Sequence, residues 1–135
     1  MINIPSHITS LINDAKTITD NVVNENIDQA TAVGIHTDSV ALYIWFDGVE
    51  LDTGGDGAAF TEDTYRIGMS VYAESSDAET EAIELLTNIV NHYIGKDVGY
   101  SDIFIKDIQR VAEEKQTVAR YDFTLQFTVT EDLTT

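Results

Sequence analysis

The sequence predicts an α+β fold: a mainly antiparallel β-sheet with two α-helices packed on one of its faces. Three observations carry that expectation. Period-two alternation runs over residues 64–74 and again over 117–130, helical periodicity is confined to two segments, and Val40–Phe46 is apolar throughout. The chain has 135 residues and is 43% hydrophobic, a size and composition suited to one domain around one core. Residues 1–135 are therefore read as a single domain, with 1–5 and 131–135 as flexible ends.

Ile4, Ile8, Leu11, Ile12, Ala15 and Ile18 recur at three- and four-residue spacing, giving a first amphipathic helix that starts near Ser6 as its N-cap. Asn21–Asp28 is polar and reads as a connection, and Thr31–His36 as a short strand. Val40–Phe46 is apolar on both faces. It is expected to be a central strand covered on both sides by protein, or on one side by a neighbouring subunit, with Trp45 buried. Asp47-Gly48 suits a type I′ hairpin turn, returning the chain through Val49 and Leu51. Residues 52–63 are acidic and Gly-rich without periodicity, as in a loop.

From Thr64 to Glu74 the odd positions Tyr65, Ile67, Met69, Val71 and Ala73 form the apolar face of a half-buried strand. Ser76-Asp77-Ala78-Glu79 has the form of a capping box opening a second helix, whose stripe runs through Ala82, Leu85, Ile89 and Tyr93 to a stop at Gly95. Asp102–Val111 reads as a strand with a bulge, and residues 112–116 as a turn. Over Thr117–Thr130, Ala119, Tyr121, Phe123, Leu125, Phe127 and Val129 alternate with polar residues, so one face is core and the other polar.

Charge sets the functional limits. There are 24 Asp and Glu against 7 Lys and Arg, a net charge of -17, and no basic residue lies between Lys16 and Arg66. Such a surface repels phosphate, which argues against a general grip on nucleic acid or an anionic membrane. A strongly anionic surface also serves solubility alone, as in proteins of salty environments. The chain has no cysteine, so disulfides, thiolate metal sites and cysteine nucleophiles are excluded. The first residues have no basic, apolar leader pattern, and the longest apolar run is far short of a membrane span, so a soluble, intracellularly made protein is expected.

No constellation of catalytic residues stands out. Asp52, Gly54, Asp56 and Gly57 have calcium-loop character, but Asp63 occupies the place where an EF-hand carries its bidentate Glu, and the flanks read as strands. His7, His36 and His92 lie far apart without metal-ligand spacing. Nucleophile-elbow, phosphate-loop and dinucleotide fingerprints are missing from the sequence, and only a carboxylate pair with a raised pKa would revive an enzyme. The expectation is a non-enzyme without cofactor or metal. Tyr43, Trp45 and Tyr72 are candidates for a subunit interface, the last because it interrupts a polar strand face.

The order of elements resembles the tail terminator or tail completion proteins of tailed bacteriophages, which cap the tail tube and join it to the head. The resemblance runs through the N-terminal helix from Ser6, the apolar strand Val40–Phe46, and the strand from Thr64 leading into a capped helix at Ser76. It ends in the closing strand Arg120-Tyr121-Asp122-Phe123-Thr124-Leu125-Gln126-Phe127-Thr128-Val129. It spans nearly the whole chain as a pattern and rests on no diagnostic motif.

That resemblance implies a homo-oligomeric ring, commonly a hexamer, located in the virion and assembled in the host cytoplasm. Its partners would be the tail tube protein and a neck or head-tail connector protein, with DNA passing through the lumen. In such a ring Asp47, Glu50, Asp52, Asp56, Glu62 and Asp63 would face the lumen and hold DNA phosphates off. The alternatives are a neck or head-completion ring protein, and a monomeric acidic α+β module that binds a cationic ligand or basic protein.

Overall fold

Long runs of alternating apolar residues draw the described part of the chain into a five-stranded sheet. The computed structural model describes residues 2–32, 39–52, 59–94 and 101–133. In chain order the elements are α1 (Ile4–Ala15), β1 (Val22–Val23), α2 (Ile27–Ala32), β2 (Ser39–Asp52), β3 (Phe60–Glu74), α3 (Ala78–Tyr93), β4 (Ser101–Arg110) and β5 (Val118–Asp132). The strands lie in the order β1-β2-β3-β5-β4. β1 runs parallel to β2, and every other pairing is antiparallel. The α+β class is as expected from the sequence.

α1 begins earlier than the Ser6 cap suggested. Asn3 is the N-cap, and its Oδ1 accepts the Ser6 backbone N–H at 3.1 Å. Pro5 sits in the first turn, where its missing N–H leaves no helical bond unmade. Ile4 and Pro5 thus belong to the helix. Ile8, Leu11 and Ala15 are buried against the sheet, and Asp14 near the helix end lies 2.9 Å from Nε2 of His92 on α3.

The polar segment after α1 holds two short elements. Val22–Val23 adds a strand to β2, and Asn26 Oδ1 accepts the Asp28 N–H at 2.9 Å, turning the chain into α2. Thr31 therefore lies in a helix and not in the expected strand; residues 33–38 of that expectation lie outside the described residues.

α2 explains the doubly apolar β2. Leu42 and Ile44 point into the main core beneath α1 and α3, whereas Ala41 and Tyr43 point the other way into a small cluster closed by Ile27 and Ala30 of α2. Two helices do share one face, but a third covers part of the other. Tyr43 is fully buried beneath it and has no surface to offer a neighbouring subunit. Trp45 is only partly buried, lying across Gly68 of β3.

Asp47-Gly48 is not a hairpin turn. The β2–β3 register steps there by a bulge between Phe46 and Gly48, and pairing then continues from Gly48↔Arg66 to Asp52↔Glu62. The acidic segment is consequently strand at both ends, with residues 53–58 outside the described residues. The β3–β5 ladder runs from Phe60↔Asp132 to Glu74↔Val118, so Glu131 and Asp132 are paired strand. Residues 134 and 135 lie outside the described residues.

The helix start at α3 is displaced by one residue from the expected capping box. Ser75 Oγ accepts the Asp77 N–H at 3.1 Å and donates to Glu81 at 2.8 Å, while Glu79 turns outward to accept from Arg110 and Tyr121. Gly95, the expected stop, lies outside the described residues. The expected bulge in β4 is present between Lys106 and Gln109, where Asp107 has a φ of 59°. Among the described residues no helix is long and apolar enough to cross a membrane.

Candidate functional site

The far end of the β2–β3–β5 ladder concentrates carboxylates on both faces of the sheet. Register sets Glu50 opposite Thr64 and Asp52 opposite Glu62, all on the face that carries α2. Glu50, Asp52 and Glu62 are exposed and, with Leu51 and Thr64, line a shallow groove of about 380 Å³. Like charges directly opposite each other destabilise a strand pair, so this arrangement opposes folding and leaves a strongly anionic surface.

The opposite face of the same strand end is the apolar one, and it buries two more acids. Asp63 is 0% exposed and Glu131 6%. They are diagonal neighbours, because Thr61 pairs with Glu131 and Asp63 with Val129. Thr61 Oγ1 donates to Asp63 Oδ2 at 3.1 Å, and the Tyr65 hydroxyl donates to Glu131 Oε1 at 3.2 Å. His7 of α1 brings Nε2 to 2.6 Å from that same Glu131 oxygen, with its ring edge against Tyr65. Among the described residues, Asp63 Oδ1 and Glu131 Oε2 have no hydrogen-bond partner. Burial pushes the Asp63 carboxyl above its ordinary pKa; the Thr61 hydrogen bond opposes this and the Glu131 charge adds to it.

A second charged cluster lies between the sheet and α2. The Arg120 guanidinium, 12% exposed, reaches Asp28 Oδ1 at 2.8 Å and holds Asp122 through Nε and Nη2, each at 2.9 Å. Ser70 Oγ donates to the same Asp122 at 2.6 Å. Burial, the largest single influence, lowers the Arg120 pKa, but hydrogen bonds to Asp122 and Asp28 more than offset it and the net shift is upward. Beside this cluster a groove of about 450 Å³ runs between α2 and the β4–β5 turn, lined by Tyr72, Glu74, Glu113 and Lys115 among others. Tyr72 is partly buried, edge-on to Tyr43, and its hydroxyl donates to Glu74 at 3.3 Å. Burial, followed by the charge of Glu74, pushes that phenol up to about 12.

The sequence-derived candidates thus separate. Glu50, Asp52 and Glu62 come together on one surface, and Asp47 stands apart, exposed at the β2 bulge beside Trp45, Asp107 and Asp122. Asp56 lies outside the described residues. Asp63 is buried on the other face, which removes it from any solvent-lined passage in this chain. In the sequence His7 reads only as a histidine without metal-ligand spacing and Glu131 only as part of an end segment, although the phase of the β5 alternation, carried one step beyond Val129, sets Glu131 on the core face. Among the described residues no group of three or more His, Asp or Glu gathers as a metal site.

No family model matches this chain, and no curated protein matches it. Among solved structures it is similar to a chain of the virion of a native gene transfer agent particle. The two are 11% identical, with a TM-score of 0.58 over 96% of this chain and 100% of that one, a likeness of the fold along the whole length of both.

Proposed function

We propose that this protein is a structural component of a virion that closes into a ring with its own copies. It would cap a phage tail tube and join it to the head or neck, with the tail tube protein and a connector protein as its neighbours. The fold shared end to end with a virion chain of a gene transfer agent supports this reading. Surfaces suited to neighbours are present: Phe60 and Leu51 are exposed at the acidic end, and Phe104 and Ile108 on the edge strand β4. In a closed ring each subunit meets the next through two different surfaces, leaving one face for the tube and the other for the neck.

In this reading Glu50, Asp52 and Glu62 line the passage and keep DNA phosphates at a distance. The measurement is mass in solution together with negative-stain imaging, at low and high salt, because subunits of charge -17 repel one another at low ionic strength. Annular particles of a single size at high salt are expected. A monomer at every salt concentration, also in the presence of isolated tail tubes, would favour the monomeric acidic module instead. Ring-forming protein that binds isolated heads but no tubes would favour the neck protein. Changing Glu50→Gln, Asp52→Asn and Glu62→Gln together should leave the ring intact and slow DNA ejection; unchanged ejection would remove these residues from the passage.

A further inference from the structure

We propose that Asp63 and Glu131 form a proton-binding site that fastens α1 to the end of the β3–β5 ladder, and that losing the proton loosens this joint. The site stands on the buried pair and does not depend on ring assembly. Both side chains lie on the apolar face, and each has one carboxylate oxygen without a partner among the described residues. An ionised carboxylate only accepts hydrogen bonds, so two of them at diagonal positions on the same buried face cannot satisfy each other. A single proton changes this, because the carboxyl that holds it becomes a donor and the other remains an acceptor.

The groups facing Asp63 are few. From α1 comes His7, whose Nε2 lies against Glu131 Oε1. From β3 come Thr61, hydrogen-bonded to Asp63, and Tyr65, hydrogen-bonded to Glu131; from β5 comes Glu131 itself, and from β2 the paired residue is Leu51. Among the described residues facing it, His7 is the one that can bring positive charge, and it is engaged with Glu131. Glu50, Asp52 and Glu62 occupy the other face of the sheet.

Asp63 is shifted upward on folding, so between its unfolded and folded values the folded state binds more protons than the unfolded. Stability from this site is therefore present at acidic pH and is lost as pH rises through the folded value. His7, in the second turn of α1, is the link through which the helix feels the loss.

The test is the pH dependence of the intact protein and its Asp63→Asn variant. An asparagine amide can accept from Thr61 and donate to Glu131, a permanent substitute for the proton. Above the folded Asp63 value the variant should melt roughly 3–6 °C above wild type, and the gain should shrink as pH is lowered through that value. Wild type should show the infrared carbonyl band of a buried carboxylic acid, absent from Asp63→Asn. Amides of α1, corrected for intrinsic exchange, should become less protected with rising pH in wild type alone. A change in melting temperature that stays the same across a pH series, or wild type without the acid band at the acidic end of that series, would overturn the proposal. Calcium that stabilises wild type at about pH 8 but not Asp63→Asn would also overturn it, assigning the pair to a metal.

Discussion

Replacing Gly68 with alanine is expected to destabilise the protein by about 2–3 kcal/mol, with a red shift in tryptophan emission. Gly68 pairs directly with Trp45 across the β2–β3 ladder, and the indole lies over its Cα. A Cβ there would stand 2.1 Å from Trp45 Cε2 and 2.3 Å from Nε1, well inside contact distance. An indole is rigid beyond its two side-chain torsions, so it must swing off the sheet and leave the cluster of Ile27, Ala30, Ala41 and Tyr43 against which it packs. The better strand propensity of alanine offsets only a fraction of that loss. Because Trp45 is the single tryptophan, emission reports its position without further labelling. Denaturant melts of Gly68→Ala, Trp45→Ala and the double variant separate the causes: if collision is the origin, Gly68→Ala costs little once Trp45 is gone. A full cost in the Trp45→Ala background would sink this explanation.

What could be read from the sequence was governed by how strongly one residue pattern excludes the others. The alternation over Tyr65–Ala73 and Ala119–Val129 admits only one face as core, and both strands are present in that phase. The stripe from Ala78 to Tyr93 likewise admits only a helix. Val40–Phe46 was legible as doubly covered, but what covers its second face was not, because α2 is six residues long and, among its described side chains, buries Ile27 and Ala30. So short a helix makes no periodic signal. Asp47-Gly48 misled for a different reason. The dipeptide suits a tight turn, yet β3 offers a partner as far as Glu62, and pairing with it converts the turn into a bulge.

The site was less legible than the fold because charge in a sequence carries no direction. Asp63 and Glu62 are adjacent in an acidic run, but a strand turns neighbouring side chains to opposite faces, so one is buried and the other exposed. His7 and Glu131 are 124 residues apart, and only the packing of α1 over the end of β5 joins them. Arg120 read as one polar position among several on the outer face of its strand. Its role depends on α2, the element that the sequence pattern did not reveal.

Removing the Arg120 guanidinium tests that dependence, and Arg120→Met is expected to cost about 2–4 kcal/mol. The side chain is 12% exposed and joins Asp122 on its own strand to Asp28 on α2, so its loss leaves the 34% exposed Asp122 with Ser70 as its remaining side-chain donor among the described residues. Asp28 is 72% exposed and water takes over much of its solvation, which keeps the cost below that of a fully buried pair. Arg120→Lys should recover less than half, since an ammonium on a flexible stem cannot bridge both carboxylates with the geometry of a fork. The pH dependence follows from the Asp28 carboxyl, which its hydrogen bond to Arg120 holds below the ordinary carboxylate range. Its contribution is present above the unfolded value near pH 4 and is lost as pH falls through the folded value, so wild type and Arg120→Met should converge in acid. Urea melts at neutral and acidic pH measure this directly, and hydrogen exchange of the α2 amides locates it. Loss of protection in α2 with β3 and β5 unchanged identifies Arg120 as the tie between that helix and the sheet. Uniform loss across all strands would instead make it a general element of the core.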